Sequence, residues 1–200
     1  MTKLITGIGL LLMIGLQLWL PASMIHDNTQ AITTGKPYKF KTRPIDPTDP
    51  FRGKYVALSF EMDEAEAFNS AEFENLNSGN QEIYVYLSTD SEGYARATYA
   101  SLELLDFKQD YVIAILEDYD DDYVYFRLPF DRFYMEESKA YEAEVAVRDA
   151  SRNRNSVDTQ APVCYALVYI NGDVATLDNV FIDETPLVEF VLENREEDLE

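Results

Sequence analysis

Period-two alternation constrains this chain more than any other feature. In KYVALSFEM, Val56, Leu58, Phe60 and Met62 fall on one side, and Tyr55, Ala57, Ser59 and Glu61 on the other. Successive side chains of a strand point to opposite faces, so such a run makes a strand with one face buried and the other half wet. The pattern recurs along most of the chain. YKFKTR (38–43) is one case. EIYVYLS (82–88) and YARATYASLEL (94–104) flank the turn TDSEG, and DYVIAILE (110–117) and YVYFRLPF (123–130) flank DYDD. YEAEVAVRD (141–149) alternates too, and VCYALVYI (163–170) is followed by Asn171-Gly172 and DVATLDNVFI (173–182). Asn-Gly between two apolar runs predicts a hairpin, because both residues tolerate the positive φ of a type I′ turn. The expectation is a mainly β domain, an antiparallel sheet that is barrel-like or a sandwich, with one or two short helices. One helix is placed at 63–76, where Asp63 and Glu66 fit a capping box and Ala65 and Phe68 start a weak stripe. The polar run 148–162 reads as a loop.

The N-terminus breaks this rhythm. Lys3 is followed by an uncharged run from Leu4 to Ile25, with Trp19 near its distal end. Such a run is long enough, at ~1.5 Å per residue, to cross a hydrocarbon core of about 30 Å, and an interfacial Trp suits its end. Residues 1–25 are therefore read as a transmembrane anchor or a signal peptide. Cleavage after Ala22 would put Leu20 at the −3 position, where a small residue is preferred, and the apolar run exceeds the usual ~7–15 residues of a signal. The anchor is the favoured reading. With Lys3 in the cytoplasm, the remainder lies outside it, on the periplasmic or extracellular face of the cell membrane. The division is then 26–36 linker, 37–192 β-rich domain and 193–200 acidic flexible tail.

Charge removes one class of function. Sixteen Lys and Arg against 37 Asp and Glu leave a formal charge of −21. A polyanion is repelled by such a surface, so nucleic-acid binding is not expected. Cys164 is the single cysteine, so no intrachain disulfide forms, and it reads as a buried small hydrophobe. His26 is the single histidine. A zinc site or a Ser-His-Asp arrangement would need more than it offers. No Gly-rich phosphate loop occurs, and no cofactor is implied. The acidic stretch EDYDDDY makes Asp118, Asp120, Asp121 and Asp122 a weak calcium candidate, although the spacing of an EF-hand loop is missing. Tyr84, Tyr86, Tyr94, Tyr99, Tyr111, Tyr123 and Tyr125 lie in or beside strands. They read as core and cross-strand packing, with an aromatic binding face as the alternative.

RPIDPTDPFRGKYVALSF (43–60) is the densest local signal. Asp46 and Asp49 precede Pro47 and Pro50, and can accept hydrogen bonds from the N–H groups two residues on, at Thr48 and Phe51. Each Pro restricts the residue before it to extended backbone. Arg52 is near enough in sequence to pair with Asp49 or Asp46, and Gly53 allows a tight bend before the strand. The stretch reads as a proline-stiffened corner feeding a half-buried strand.

PIDPTDPFRGKYVALSF resembles the signature of the GDYXXLXY protein family, P-x-D-P-x-D-x-x-R-G-D-Y-x-x-L-x-Y. RFYMEESKAYEAE and ALVYINGDVATLDNVFID are similar to two later segments of that family, in the same order, over about Gly35 to Asp183. Lys54 stands where the signature has Asp, Phe60 where it has Tyr, and Glu136-Glu137-Ser138 where it has Pro-Glu-Gly. The resemblance implies a membrane-anchored extracytoplasmic domain associated with polytopic membrane proteins. The motif positions Asp46, Pro47, Asp49, Pro50, Arg52, Gly53, Lys54, Tyr55, Leu58 and Phe60 are the candidate interaction residues. The expected function is a non-enzymatic accessory module with an integral-membrane protein as partner. Two alternatives stand beside it. One is a ligand or ion sensor. The other is a hydrolase, since the anchored β-protein is similar, loosely, to the β domain of signal-peptidase-like serine/lysine enzymes. Strand alternation argues against a Ser59–Lys54 dyad, because it places the two on opposite faces.

Overall fold

The computed structural model describes residues 2–43, 55–74, 76, 81–135, 143, 145–146 and 162–197, with side chains from Leu10 (Leu11 excepted) to Leu192. The described residues open with helix α1 (Thr2–Thr34) and continue through twelve strands: β1 (Lys36–Arg43), β2 (Tyr55–Ala57), β3 (Ser59–Phe60), β4 (Glu64–Ala67), β5 (Glu82–Thr89), β6 (Ala95–Ser101), β7 (Tyr111–Asp120), β8 (Tyr123–Arg127), β9 (Arg132–Tyr134), β10 (Cys164–Asn171), β11 (Val174–Ile182) and β12 (Thr185–Pro186). Helix α2 (Ser70–Phe73) is one turn long, and helix α3 (Leu187–Glu197) follows β12.

The expected mainly β, mostly antiparallel architecture is present. It takes the form of a closed barrel and an open sheet, with a separate pair of short strands beside them. Strands β4-β6-β5-β7-β8 close into a barrel. Strands β12-β11-β10-β1-β3 form an open sheet, and β2 pairs with β9 alone. The barrel closes because β4 pairs with β8 in antiparallel and with β6 in parallel fashion. Ile83, Val85 and Leu87 of β5 and Val112, Ala114 and Leu116 of β7 point inward and are buried. On the sheet, Phe40 lies opposite Ala166 and Tyr38 opposite Val168. Leu187 and Val191 of α3 cover this layer. The aliphatic interior of the barrel and the inner face of the sheet form one continuous core. Burying each such Val, Leu or Phe stabilises the fold by about 1.5–3 kcal/mol.

Several elements differ from the sequence expectation. The predicted helix over 63–76 is a strand, β4, followed by the single turn α2. Closing the barrel requires backbone pairing on both sides of Glu64–Ala67, and that tertiary demand overrides a weak local helix pattern. Of the alternating stretch 141–149, the described residues Ala143, Val145 and Ala146 are helical, and Ala143 is buried. Alternating Ala and Glu mimic a strand, yet both are strong helix formers. The segment 26–36, read as a polar linker, is helical through Thr34, and α3 carries the acidic tail region as helix through Glu197. In α1, Thr29, Thr33 and Thr34 return their hydroxyls to carbonyls one turn back, which lets polar residues stay helical.

The β10–β11 hairpin forms as expected, shifted by one residue. Asn171 pairs with Val174, so Gly172 and Asp173 are the turn residues, and only Gly172 has positive φ, +58°. Positive φ at the first position alone marks a type II′ turn. The type I′ pattern belongs to the acidic turn between β7 and β8, where Asp121 and Asp122 have φ of +47° and +70°.

The last turns of α1 dock on this hairpin. Asn171 Nδ2 donates to Thr34 Oγ1 at 3.0 Å, Thr176 Oγ1 donates to Asn28 Oδ1 at 3.0 Å, and Ala31 is buried. N-terminal to this contact, α1 stands clear of the domain. Leu12, Leu16, Leu18, Trp19, Leu20 and Ile25 are all exposed, Leu16 and Trp19 by 74% and 73%. Among the described residues, no helix is long and apolar enough to cross a membrane.

Candidate functional site

The strand that ends the motif is split, and the split makes it a junction. Tyr55–Ala57 pairs with β9, Tyr55 lying opposite Tyr134. One residue later Ser59–Phe60 pairs with β1, Phe60 lying opposite Thr42. Leu58 sits at the switch and donates its N–H to the carbonyl of Asp131 at 2.8 Å. A run that alternates without interruption thus serves two sheets, because its buried side meets a single core.

The candidate motif residues divide accordingly. Asp46, Pro47, Asp49, Pro50, Arg52, Gly53 and Lys54 lie outside the described residues, and so does the proposed comparison of Lys54 with Ser59. Leu58 and Phe60 are core residues, 5% and 7% exposed. Phe60 belongs to a three-ring cluster with Phe40 and Phe130, at centroid distances of 6.1 and 5.3 Å, and Phe40 and Phe130 are 5.0 Å apart. The rings meet edge to face, the favoured geometry, worth about 0.5–1.5 kcal/mol per pair beyond burial. Tyr55 is half-buried against Tyr134, with the Arg132 guanidinium 5.3 Å from its ring centroid. Of the three, Tyr55 alone offers a polar group at the surface of this junction.

Two clefts flank the motif strand. One, of about 230 Å³, is lined by Leu58, Phe60, Met62, Asp63, Arg127 and Asp131. The other, of about 320 Å³, lies between sheet and barrel and is lined by Lys41, Met62, Glu64, Asp90, Tyr94 and Arg96. Their walls are joined by charge pairs from the outer side of β1. Arg43 grips Asp63 with both nitrogens, at 2.5 and 2.9 Å, and bonds the Glu61 carbonyl at 3.0 Å. Lys41 pairs with Glu92 at 2.7 Å and lies 4.2 Å from the Tyr94 ring centroid. The Arg43–Asp63 pair is half in water, so it contributes at most about 1 kcal/mol, and its role is to set geometry. Asp90 holds the turn after β5: its Oδ1 accepts from the N–H groups of Tyr94 at 2.8 Å and Glu92 at 2.9 Å. The bond from Tyr94 above all keeps its carboxyl below the usual Asp range. The second cleft therefore presents both charge signs beside an aromatic ring, an arrangement that can orient a small polar ligand.

The calcium candidate is not assembled. Among the described residues, no group of three or more carboxylates, His or Cys is placed to hold an ion. Asp122 Oδ1 instead accepts from the hydroxyls of Ser70 and Tyr119, and Asp118 Oδ1 from the Tyr119 N–H. Paired strands spread Asp118 and Asp120 along β7, while Asp121 and Asp122 turn away in the hairpin. Cys164 is buried, and burial pushes its thiol up to about 11.

The expected cross-strand packing of the tyrosines is present, with Tyr84 and Tyr86 meeting Tyr111 across β5 and β7 at 5.5 and 5.9 Å, while the expected core placement is not. None of the seven is part of the continuous core. On β5, Ile83, Val85 and Leu87 take the interior, so Tyr84 and Tyr86 face outward, and Tyr86 is buried only because residues 102–110 wrap over it. That wrap is fixed by the Leu105 N–H, which donates to Tyr86 Oη at 2.7 Å, and by Phe107, whose ring centroid is 5.3 Å from that of Tyr86. The signal was in the sequence: tyrosines in phase with Ser88 and out of phase with aliphatics belong to the outer face.

No curated protein and no solved structure matches the chain. One family model does, that of the GDYXXLXY protein, over residues 17–175, which spans more than half of the chain. Its match runs from the exposed part of α1 through the split strand to the β10–β11 hairpin, and the chain belongs to the GDYXXLXY protein family.

Proposed function

We propose that the protein is a membrane-anchored interaction module, with α1 as the anchor and the β domain outside the cytoplasm, acting as accessory to an integral-membrane partner rather than as an enzyme. One observation carries this reading. Helix α1 leaves the domain with the large apolar side chains described between Leu10 and Ile25 uncovered, at 41–74% exposure. An apolar surface on that scale needs lipid or another protein against it. In length, the uncharged run from Leu4 to Ile25 suits a hydrocarbon core of about 30 Å at ~1.5 Å per residue. The docking of Asn28, Ala31 and Thr34 on the hairpin supports a fixed distance between anchor and domain. The test is fractionation of cells expressing the full chain, with alkaline carbonate extraction and protease added outside the membrane. Retention in the carbonate pellet with a protease-accessible domain is expected, and crosslinking in those membranes is expected to recover the same integral-membrane protein repeatedly. A chain released by carbonate, or a domain protected from outside protease, refutes the reading.

A sensor for a small polar ligand is the second reading, favoured by the mixed-charge cleft at Lys41, Glu64, Asp90 and Arg96. Thermal-shift screening of zwitterionic and polar metabolites against the wild type and an Arg96→Ala variant separates the two.

A further inference from the structure

The outer face of the barrel carries rings that anchoring leaves without a role. Glu66 on β4 lies opposite Tyr99 on β6 and opposite Tyr123 on β8. Tyr99 in turn lies opposite Tyr86, and Tyr86 opposite Tyr111. Directly opposed residues present their side chains on the same face. A girdle therefore runs round the barrel as Tyr123, Glu66, Tyr99, Tyr86 and Tyr111. Phe68 adds to it: its ring centroid is 6.2 Å from that of Tyr99 and 5.5 Å from that of Phe107. Phe68, Phe107, Tyr123 and Tyr99 remain 49%, 43%, 41% and 38% exposed.

Elsewhere the chain covers its rings with its own cations. Lys36 lies over Tyr38, Lys39 over Tyr165, Lys41 over Tyr94 and Arg132 over Tyr55, at 4.2 to 5.3 Å. Among the described residues, no cation covers Phe68, Tyr99, Phe107 or Tyr123, while Glu66 lies between Tyr99 and Tyr123 in the strand register of a protein of charge −21. A ring face attracts cations through its quadrupole, and a neighbouring carboxylate adds to that attraction.

We propose that the patch of Phe68, Tyr99, Phe107, Tyr123 and Glu66 docks a cationic, partly apolar segment of a partner polypeptide. Its Arg or Lys groups sit over the rings and against Glu66, and its apolar groups sit on Phe68 and Phe107. A second copy of this chain, carrying the same −21, is repelled. A neutral sugar can donate its hydroxyls to Glu66 but draws nothing from its charge, and offers no cation to the ring faces. The proposal rests on the reading as an interaction module and names the chemistry of its partner.

Calorimetry on the full chain in phosphatidylcholine nanodiscs tests it, with an octapeptide of alternating Arg and Leu as the probe. Saturable binding is expected. Phe68→Ser leaves the charge unchanged and is expected to weaken it about thirtyfold, the scale of a hot-spot contact. Should Phe68→Ser alter the circular dichroism spectrum, Tyr99→Thr, which keeps a β-branched residue in β6, is read instead. Glu66→Gln is expected to weaken binding several-fold, and Glu184→Gln, removing the same charge from the β11–β12 turn, by less than about twofold. Unchanged affinity in the ring variant overturns the proposal, since binding then reflects net charge alone. Equal loss in both Glu variants, equal affinity for a Glu-Leu octapeptide or maltohexaose, or a dimer abolished by Phe68→Ser overturns it too. Carbonate retention of the Phe68→Ser chain is expected to stay intact, so failure here is distinct from failure of the anchoring.

Discussion

Gly35 is the one residue between α1 and β1, and the junction works only without a side chain there. Its N–H donates to the Ala31 carbonyl at 2.8 Å, ending the helix, and the chain reverses at once along β10. A Cβ at this position would lie 2.3 Å from the Ala31 carbonyl oxygen and 2.9 Å from that of Ile170. Both are backbone atoms, so neither can rotate away. Relief requires a displacement on the order of 1 Å between helix end and sheet, in a region where Ala31 is buried and Thr34 and Asn28 hold the hairpin. Overpacking of that kind costs about 1–3 kcal/mol. At about 2–4 °C per kcal/mol for a chain of this size, Gly35→Ala lowers Tm by roughly 2–12 °C. Gly15 supplies the control, since a Cβ there meets nothing within 4 Å. In a helix interior the same substitution gains about 0.5–1 kcal/mol from lost backbone freedom in the unfolded chain, so Gly15→Ala leaves Tm unchanged or raises it. Thermal unfolding followed by circular dichroism, with both variants in the same detergent, compares the two signs. A shift below 1 °C for Gly35→Ala, or equal falls for both, refutes the close-approach argument.

Phe60→Ala empties the centre of the three-ring cluster, and urea unfolding is expected to show a loss of about 3–5 kcal/mol. Asp90→Asn removes a carboxyl whose folded pKa lies below its ordinary 3.8. A depressed carboxylate stabilises the fold above its unfolded pKa and loses that contribution as pH falls through the folded one. The wild type is therefore expected to exceed the variant in Tm at pH 7, with the gap closing below about pH 4. Tyr111 donates to Asp173 at 2.6 Å, a bond that pushes its phenol up to about 12. Titration of the 295 nm absorbance is expected to show one late tyrosine that moves toward 10 in Asp173→Asn.

Much of the strand content was legible because a half-buried strand writes its two faces into alternate residues. β5, β7, β8, β10 and β11 lie where Ile-Val-Leu runs alternate with polar or aromatic residues. The failures share a cause. At Glu64–Ala67 the residues favour a helix, and only pairing with β6 and β8 makes them a strand. At Ala143–Ala146 the alternation is strand-like and the residues are helix formers. Leu58 gives no local sign of the partner switch, because nothing in KYVALSFEM encodes the Asp131 carbonyl that takes its N–H. The outer girdle was half legible: the phase of Tyr84 and Tyr86 against Ile83, Val85 and Leu87 assigns them to the outside face. Their neighbours Tyr99, Glu66 and Tyr123 come from strands distant in sequence, and only register brings them level.

The sequence by itself determined the family, the mainly β class, the apolar N-terminal helix and the strongly negative surface. These depend on periodicity, composition and local motif, all of which are written within a few residues of one another. Tertiary structure alone decided that one set of strands closes into a barrel while another stays open. It also decided that the motif strand serves two sheets and that the aromatic rings ring the outside of the barrel. Those outcomes rest on backbone hydrogen bonds between distant segments, and a backbone group carries no mark in the sequence of which partner it will find.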